Sequence, residues 1–207
     1  MEITNLKQNK NLSLVDVYVD DEFFVTIDKN MVLELGLAKG QALTPDDLAS
    51  LKRGAIINRL YNFALNRILI RPRSKSEIRQ YLSGKSDNED AISVALQRLI
   101  DAKYIDDMAF AEWWIDSRNT FRAKSRVEVS NELSLKGIDR AIIAQAINSD
   151  MPIDIEKDNV VKLVEKKWPL LQIQKGDFQE KRKKLIGYLV RKGFNWDSIS
   201  EAIKDIQ

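Results

Sequence analysis

The strongest constraint on the fold is an internal repeat that begins near residue 52 and occurs three times. Five positions keep their residue type in every copy, with no gap inside the aligned stretch. In order of copy they are Leu82, Lys85, Ile92, Ala95 and Leu96, then Leu133, Lys136, Ile143, Ala146 and Ile147, then Leu189, Lys192, Ile199, Ala202 and Ile203. A helix-capping residue also recurs at one offset, as Asn88, Asp139 and Asn195. A period of about 50 residues predicts one supersecondary unit that is stacked three times.

Each copy is predicted to contain three helices joined by short turns. The first helices are amphipathic stretches over residues 55–70, 107–121 and 155–168, and acidic caps precede the last two, at Asp106 and Asp154. Because helices this short bury too little apolar surface alone, the copies are expected to stack. The predicted fold is therefore mainly α, with three tandem three-helix repeats in an elongated, curved array.

The second helix begins with a recognisable signal in two of the three copies. Ser74 and Ser125 each stand three residues before a glutamate, which is the pattern of a capping box. Copy three has Lys181 at the matching position, and its second helix is predicted to start about one turn earlier, at Asp177.

The first 50 residues have a different pattern, in which β-branched and aromatic residues dominate. Strands are predicted over residues 3–8, 11–19 and 22–28, and short helices over residues 31–37 and 44–52. The predicted division of the chain is a β-meander with short helices over residues 1–50, then repeats over residues 51–105, 106–150 and 151–207.

The residue types present exclude many kinds of chemistry. The sequence has no cysteine and no histidine, which removes disulfides, thiolate nucleophiles, imidazole catalysis and zinc sites built on these residues. No Walker A loop, GxGxxG turn or GxSxG elbow occurs. Asp106 and Asp107 are a possible catalytic pair, but adjacent acids at a helix start are ordinary capping chemistry. We therefore expect no enzyme activity, no cofactor and no bound metal.

The distribution of charge and apolar residues indicates where the chain works and what it binds. The apolar runs are too short for a membrane span and residues 1–10 lack a secretory pattern, so a cytoplasmic protein without membrane contact is expected. The net charge is +2, but residues 1–50 contain four lysines and nine acids, a net of −5, which leaves +7 on the remainder. Residues 1–50, which we call the head, are thus acidic, and the rest of the chain is basic. This distribution suggests a polyanionic partner for the rest of the chain.

Basic residues cluster at the start of the second helix of each copy, or along it. The predicted DNA- or filament-binding residues are Arg67, Arg71, Arg73, Lys75, Arg79, Arg118, Arg122, Lys124, Arg126, Lys181, Arg182, Lys184, Arg191 and Lys192. Stacking of the copies would align the clusters in a discontinuous stripe that can neutralise phosphates. The alternative is that each cluster is only a solvated helix face, but recurrence at one structural position favours binding.

The four tryptophans have separate interpretations. Trp114 shares a helix face with Phe110 and is predicted to lie in the core. Trp113 points elsewhere and is a candidate anchor for a partner, because tryptophan is enriched in binding hot spots. Trp168 and Trp196 are interpreted as packing residues.

Three segments occur in the order typical of one family. They are Arg-Pro-Arg-Ser-Lys-Ser-Glu-Ile-Arg-Gln-Tyr-Leu at 71–82, Tyr-Ile-Asp-Asp-Met-Ala-Phe-Ala at 104–111 and Glu-Leu-Ser-Leu-Lys-Gly-Ile at 132–138. Together they resemble the RecX family of recombinase regulators, well over residues 55–150 and more loosely over 151–207. One departure is Lys103, where the family usually has glycine; if this residue is left-handed, lysine costs about 1 kcal/mol there.

The resemblance implies a function that the residues alone do not identify. It implies tandem three-helix repeats that bind in the groove of the filament formed by RecA on single-stranded DNA. Duplex DNA stays open as an alternative nucleic-acid partner. It also implies modulation, usually inhibition, of RecA activities, and we expect the chain to act as a monomer. The alternatives from other classes are a stand-alone DNA-binding module of helix-turn-helix-like units, a metal-dependent nuclease using Asp106 and Asp107, and a scaffold without nucleic acid.

Overall fold

The computed structural model describes residues 1–204 and 206, except for the side chain of residue 121. Three antiparallel strands form one sheet in the order β1 (Ile3–Gln8), β2 (Leu14–Val19) and β3 (Glu22–Asp28). The helices described are α1 (Lys29–Glu34), α2 (Pro45–Ile68), α3 (Lys75–Ser83), α4 (Glu89–Asp101), α5 (Asp107–Phe121), α6 (Arg126–Leu135), α7 (Arg140–Asp150), α8 (Ile153–Gln172), α9 (Phe178–Arg191) and α10 (Trp196–Ala202). The predicted class, mainly α repeats after a small β-rich segment, is confirmed.

The sheet follows from alternation and from one tight turn. Val15, Val17 and Val19 all face the core of the head, as expected when every second side chain of a strand points inward. Asp20 and Asp21 both have positive φ, 49° and 67°, the geometry that suits a two-residue hairpin. Strand β2 begins at residue 14 instead of the predicted 11, because residues 11–14 form a turn closed by a backbone hydrogen bond of 2.9 Å.

Helix α2 is one continuous helix where the sequence predicts two, over residues 44–52 and 55–70. Thr44 caps it in a capping box with Asp47, and Pro45 occupies the first turn, as predicted. Gly54 does not interrupt the helix; a Cβ added there would lie 2.3 Å from Cε of Met31. The glycine therefore leaves room for the end of the Met31 side chain beside α2, and the helix continues through it.

The three predicted trios are α2 with α3 and α4, α5 with α6 and α7, and α8 with α9 and α10. Each trio has its own hydrophobic cluster, and the repeated leucines at 82, 133 and 189 are fully buried. The three repeated caps, Asn88, Asp139 and Asn195, each accept a hydrogen bond from a backbone N–H in the first turn of the third helix. Both sets of positions confirm the repeat derived from the sequence.

The predicted cap Asp154 is wrong. Helix α8 begins at Ile153, after Pro152, and Asp154 lies inside its first turn. Proline at this position already has a φ of −57°, which is compatible with helix entry, and its carbonyl accepts the N–H of Ile155 at 3.1 Å. The other predicted acidic caps, Asp106 and Asp177, are confirmed.

Backbone contacts divide the chain into two compact units. One contains residues 1–71 and 78–105, and the other contains residues 72–77 and 106–207. The first turn of α3 therefore belongs with the second unit, although the rest of that helix belongs to the first.

Candidate nucleic-acid interface

The basic residues of the first repeat differ in their exposure. Arg67 and Arg79 are exposed; the Arg67 guanidinium lies 5.3 Å from the centre of the Tyr81 ring, and Arg79 pairs with Glu89 at 2.6 Å. Because both side chains of this pair are at least half exposed, it holds Arg79 only weakly. Lys75 is also exposed, whereas Arg71 and Arg73 are half-buried.

In the second repeat, two of the predicted residues converge on one carboxylate. Arg118 Nε donates to Glu132 Oε2 at 2.7 Å, Trp114 Nε1 donates to the same oxygen at 2.8 Å, and Lys124 Nζ donates to Glu132 Oε1. The Arg118 guanidinium also lies 4.0 Å from the centre of the Trp114 ring. We call these four residues the Glu132 cluster.

Glu132 carries a negative charge despite its position. Burial acts to raise the pKa of its carboxyl, but the hydrogen bonds from Lys124, Arg118 and Trp114 outweigh it and hold the pKa below its ordinary value. Glu132 therefore largely neutralises the charges of Arg118 and Lys124, whose side chains are only 20% and 17% exposed.

The second helices of successive copies are joined by a contact that occurs twice in the same form. Ser74 Oγ donates to the carbonyl of Lys136 at 2.7 Å, and Lys136 Nζ pairs with Glu77 Oε1 at 2.8 Å. One copy later, Ser125 Oγ donates to the carbonyl of Lys192 at 2.5 Å. Lys192 Nζ then pairs with Glu128 Oε1 at 3.1 Å. We call this contact the serine–lysine interlock.

An acid from the next copy completes each interlock at the helix N-terminus. Asp107 Oδ1 accepts the backbone N–H of Lys75 at 2.8 Å, and Glu156 Oε1 accepts that of Arg126 at 3.2 Å. Asp106 accepts the N–H groups of residues 108 and 109 in its own helix. The two adjacent aspartates thus cap two different helices.

A groove between α6 and α7 brings together donors that suit a phosphate backbone. Its cavity has a volume of about 580 Å³, and Arg126 and Arg140 line it together with Ser130, Asn131, Ser134 and Asn148. The Arg126 guanidinium donates to Asn148 Oδ1 across the groove. Guanidinium, hydroxyl and amide groups are the side chains that contact nucleic-acid phosphates and sugars. We call this feature the α6–α7 groove.

The third repeat has its predicted basic residues on α9 and at its end. Lys181 Nζ donates to the carbonyl of Gln172 at 2.9 Å, and both Lys181 and Arg182 are half-buried. Lys184 and Arg191 are exposed, whereas Lys192 is held in the interlock. The predicted set therefore divides into half-buried residues and exposed residues; the exposed ones are Arg67, Lys75, Arg79, Arg122, Lys184 and Arg191.

The tryptophans are in part as predicted. Trp114 is 9% exposed and stacks on Phe110, with ring centres 5.8 Å apart. Trp113 is half-buried and packs against the hydrophobic cluster of the second repeat, which contains Phe110 and Trp114. Trp168 packs edge-to-face on Phe178 at 5.7 Å, but the packing prediction for Trp196 is wrong, because this side chain is 60% exposed in the first turn of α10.

The sequence pattern does not predict two features of the basic surface. Arg140 follows a cap and stands alone in the sequence, so no cluster pointed to its place in the α6–α7 groove. The interlock does have a signal in the sequence, because Lys136 and Lys192 are repeat positions, but from the sequence Lys136 serves only to define the repeat, and Lys192 is placed among the predicted DNA-binding residues. Repetition at a fixed offset is also the signature of a contact between copies.

The described residues offer few other kinds of site. Over residues 1–204 and 206, no group of three or more acidic, histidine or cysteine residues is placed to hold a metal ion. Within the same residues, none of the helices has the length and apolar character needed to span a bilayer.

Fold and surface define a class, a tandem helical-repeat protein with a small antiparallel sheet and basic second helices. Three family models match: the RecX N-terminal domain over residues 1–44, and the second and third three-helix domains of RecX over residues 106–147 and 154–203. The chain belongs to the RecX family of regulatory proteins.

Individual relatives agree with this assignment. Regulatory protein RecX of Bacillus subtilis (strain 168) is 29% identical over 200 residues, covering 97% of this chain and 75% of that protein. The RecX of Clostridium perfringens (strain SM101 / Type A) is 26% identical over 206 residues, covering 98% of this chain and 95% of that protein.

Two solved structures have a similar fold. The crystal structure of a regulatory protein RecX superposes with a TM-score of 0.81 at 20% identity, over 99% of this chain and 98% of that chain. RecX from Lactobacillus salivarius gives a TM-score of 0.66 at 28% identity, over 73% of this chain and 96% of that chain.

Proposed function

We propose that this protein binds in the groove of the RecA–single-stranded-DNA filament and inhibits the ATPase and strand-exchange activities of RecA. Membership of the RecX family supports RecA as the partner. The solvent-facing basic residues of the repeats support contact with the DNA of the filament. Once lodged in the groove, the protein obstructs filament growth and the conformational change that accompanies ATP turnover.

The observation that carries the proposal is the set of phosphate-binding donors in the α6–α7 groove. Arg126 and Arg140 approach it from two different helices, with hydroxyl and amide groups between them. Among the described ion pairs, none neutralises Arg126 or Arg140 in the way that Glu132 neutralises Arg118 and Lys124. We expect DNA of the filament to pass over this groove and over the exposed residues of α9.

The test is a charge-reversal variant built only from exposed side chains. Its four changes are Arg122→Glu, Arg140→Glu, Lys184→Glu and Arg191→Glu. Since each change removes a phosphate contact and adds a repulsion, we expect affinity for the RecA filament to fall by more than about a hundredfold. Inhibition of the RecA ATPase at a fixed protein concentration should be lost in parallel.

The matched control has the same change of charge on the head and on the first half of α2. Its changes are Lys10→Glu, Lys29→Glu, Lys39→Glu and Arg53→Glu, all at exposed positions. We expect this control to inhibit RecA almost as well as the wild type. Equal inhibition of the RecA ATPase by both variants, with circular dichroism showing that both are folded, would contradict the proposal.

We further propose that the protein acts as a monomer. Copy three has Lys181 where copies one and two have the interlock serine, so a further repeat could not form the same serine–carbonyl hydrogen bond there. Analytical ultracentrifugation should give the mass of one chain, and a concentration-dependent dimer would contradict this.

A stand-alone DNA-binding module is the second candidate, since the α6–α7 groove faces solvent without any recombinase. It requires tight binding of duplex DNA by the isolated protein. Fluorescence anisotropy with duplex and single-stranded oligonucleotides, with and without RecA, separates the two: the leading proposal requires affinity to rise sharply when the filament is present.

A further inference from the structure

The two edges of the head sheet differ in how they are covered. Along β1, the Ile3 N–H donates to the carbonyl of Gln41 at 2.9 Å, and the Ile3 carbonyl accepts the Gly40 N–H at 2.9 Å. A bridge between Glu2 and Ala42 extends this cover. In the described part of the chain, no strand pairs with the outer edge of β3. An edge that pairs with no further strand presents backbone donors and acceptors to an extended chain that approaches it.

A groove runs beside this edge, between β3 and α2, and we call it the β3–α2 groove. Its cavity has a volume of about 880 Å³ and is lined by residues 23–28 of β3 and by one face of α2. Phe23 and Phe63 lie in its walls and are 59% and 37% exposed. Aromatic side chains left partly exposed beside a strand edge offer apolar pockets for alternate side chains of an added strand.

The helix wall of the groove is polar and basic. Asn62 and Asn66 line it four residues apart and thus lie on one helix face, where their amides can hydrogen-bond to a peptide backbone. Lys52 and Arg59 line the same wall, and the Lys52 ammonium lies 4.7 Å from the centre of the Phe24 ring. From residue 51 to residue 67, α2 has four basic residues and no acidic one.

The acid in the groove lining offsets only part of this charge. Asp28, whose carboxylate also caps α1 by accepting the Asn30 N–H at 2.8 Å, is the acidic residue of the lining, against Lys52 and Arg59. The wall therefore favours a ligand that brings negative charge, while the strand edge favours a ligand in extended conformation.

We propose that the β3–α2 groove binds an extended acidic segment of a partner protein, which pairs with β3 as a fourth strand. Backbone hydrogen bonds to β3 supply affinity, the aromatic walls hold alternate apolar side chains, and Lys52 and Arg59 select acidic side chains between them. This binding uses β3 and α2 and does not depend on the proposed contact of the α6–α7 groove and α9 with DNA.

The test uses the full chain and a fluorescein-labelled peptide in which glutamate alternates with valine. Since β3 has 7 residues, a probe of about ten residues overlaps its whole length. We expect saturable binding by anisotropy, and slower hydrogen exchange at the outward-facing amides of β3 when the peptide is bound. A peptide in which lysine replaces glutamate should bind at least about tenfold more weakly.

Two variants on one helix make the test specific. Arg59→Glu changes a residue that lines the groove, and we expect it to weaken binding about tenfold. Arg53→Glu makes the same change at an exposed position outside the groove lining and should leave binding unchanged. Both side chains are exposed, so both variants should fold, which the dispersion of a two-dimensional amide spectrum checks.

Three results would overturn the proposal. One is equal weakening by both variants, which would mean diffuse attraction by charge. Another is peptide binding that leaves β3 exchange unchanged. The third is a single-stranded oligonucleotide that binds more tightly than the acidic peptide and protects the same amides, which would make the groove a nucleic-acid site. Loss of DNA binding by the repeats would not affect any of these readouts.

Discussion

At the scale of single residues, Glu132 organises the charge of the second repeat. It accepts hydrogen bonds from Arg118, Trp114 and Lys124 at once, so removing its charge leaves two half-buried cations facing each other. In copies one and three the equivalent position is a tyrosine, Tyr81 or Tyr188. The cluster is therefore particular to the second repeat.

Glu132→Gln should change how stability depends on pH. The folded-state pKa of Glu132 lies below the ordinary 4.5, so its contribution is complete above the unfolded pKa and is lost as pH falls from there through the folded pKa. We expect the variant to be less stable at pH 7, by about 1–2 kcal/mol, and to lose less stability than the wild type on acidification. Urea unfolding between about pH 7 and pH 3 measures both quantities.

The exposed pair of Arg79 and Glu89 supplies the control for this prediction. Glu89→Gln should change the free energy of unfolding by less than about 0.5 kcal/mol at any of these pH values. If the free energy of unfolding of Glu132→Gln depended on pH in the same way as that of the wild type, the Glu132 cluster would not stabilise the protein through its charge.

The second prediction about a single residue concerns Lys103. It ends α4 with a φ of 61°, and the N–H groups of Lys103 and Tyr104 bond back to the carbonyls of Ile100 and Leu99, both at 2.9 Å. This left-handed position is the one at which the sequence comparison expected glycine. We therefore expect Lys103→Gly to stabilise the protein by about 1 kcal/mol, measured by thermal unfolding. Ala102→Gly, one residue earlier at a φ of −77°, should not stabilise; stabilisation by both would contradict the explanation.

At the scale of elements, the interlock explains why a Lys-Gly pair closes α6 and α9. The glycine lets the end of one second helix approach the start of the preceding one: a Cβ on Gly137 would lie 2.4 Å from Cβ of Ser76. The lysine carbonyl and ammonium then reach the serine and glutamate of that helix. One capping box thus stabilises its own helix and binds the next copy.

Gly137→Ala should therefore lower the free energy of unfolding by more than the strain of placing alanine in a left-handed conformation. Gly36 also has a positive φ, 59°, but nothing lies within 4 Å of an added Cβ there, so Gly36→Ala measures the backbone cost of about 1 kcal/mol. We expect Gly137→Ala to exceed it by at least about 1 kcal/mol through the contact with Ser76. Chemical denaturation of both variants tests this, and equal losses would show that the close approach is unimportant.

What could be predicted from the sequence was local. Asn88, Asp139 and Asn195 were predictable as caps because a side chain bonds to backbone two or three residues away. The continuity of α2 was not, because Gly54 is explained by Met31, which is distant in the sequence. The Glu132 cluster was hidden for the same reason: Arg118 and Lys124 look like surface charge until their common partner is known.

At the scale of the whole molecule, charge separates two surfaces with different proposed partners. The basic residues that face solvent on α9 and around the α6–α7 groove are assigned to DNA, and the β3–α2 groove, whose basic residues belong to α2, to an acidic peptide. Residues 1–50 have a net charge of −5 and the remainder +7. A neutralised phosphate releases counterions, so the repeats should bind with strong dependence on salt.

The salt dependence of binding to the RecA–single-stranded-DNA filament tests the central claim most directly. The slope of log affinity against log salt concentration should be steep for the wild type and for the head control variant. For the variant with Arg122, Arg140, Lys184 and Arg191 changed to Glu, the slope should be smaller by about 3, since each lost contact with single-stranded DNA removes about 0.7. An unchanged slope in that variant would mean that these residues do not contact phosphate, and that the filament is held in another way.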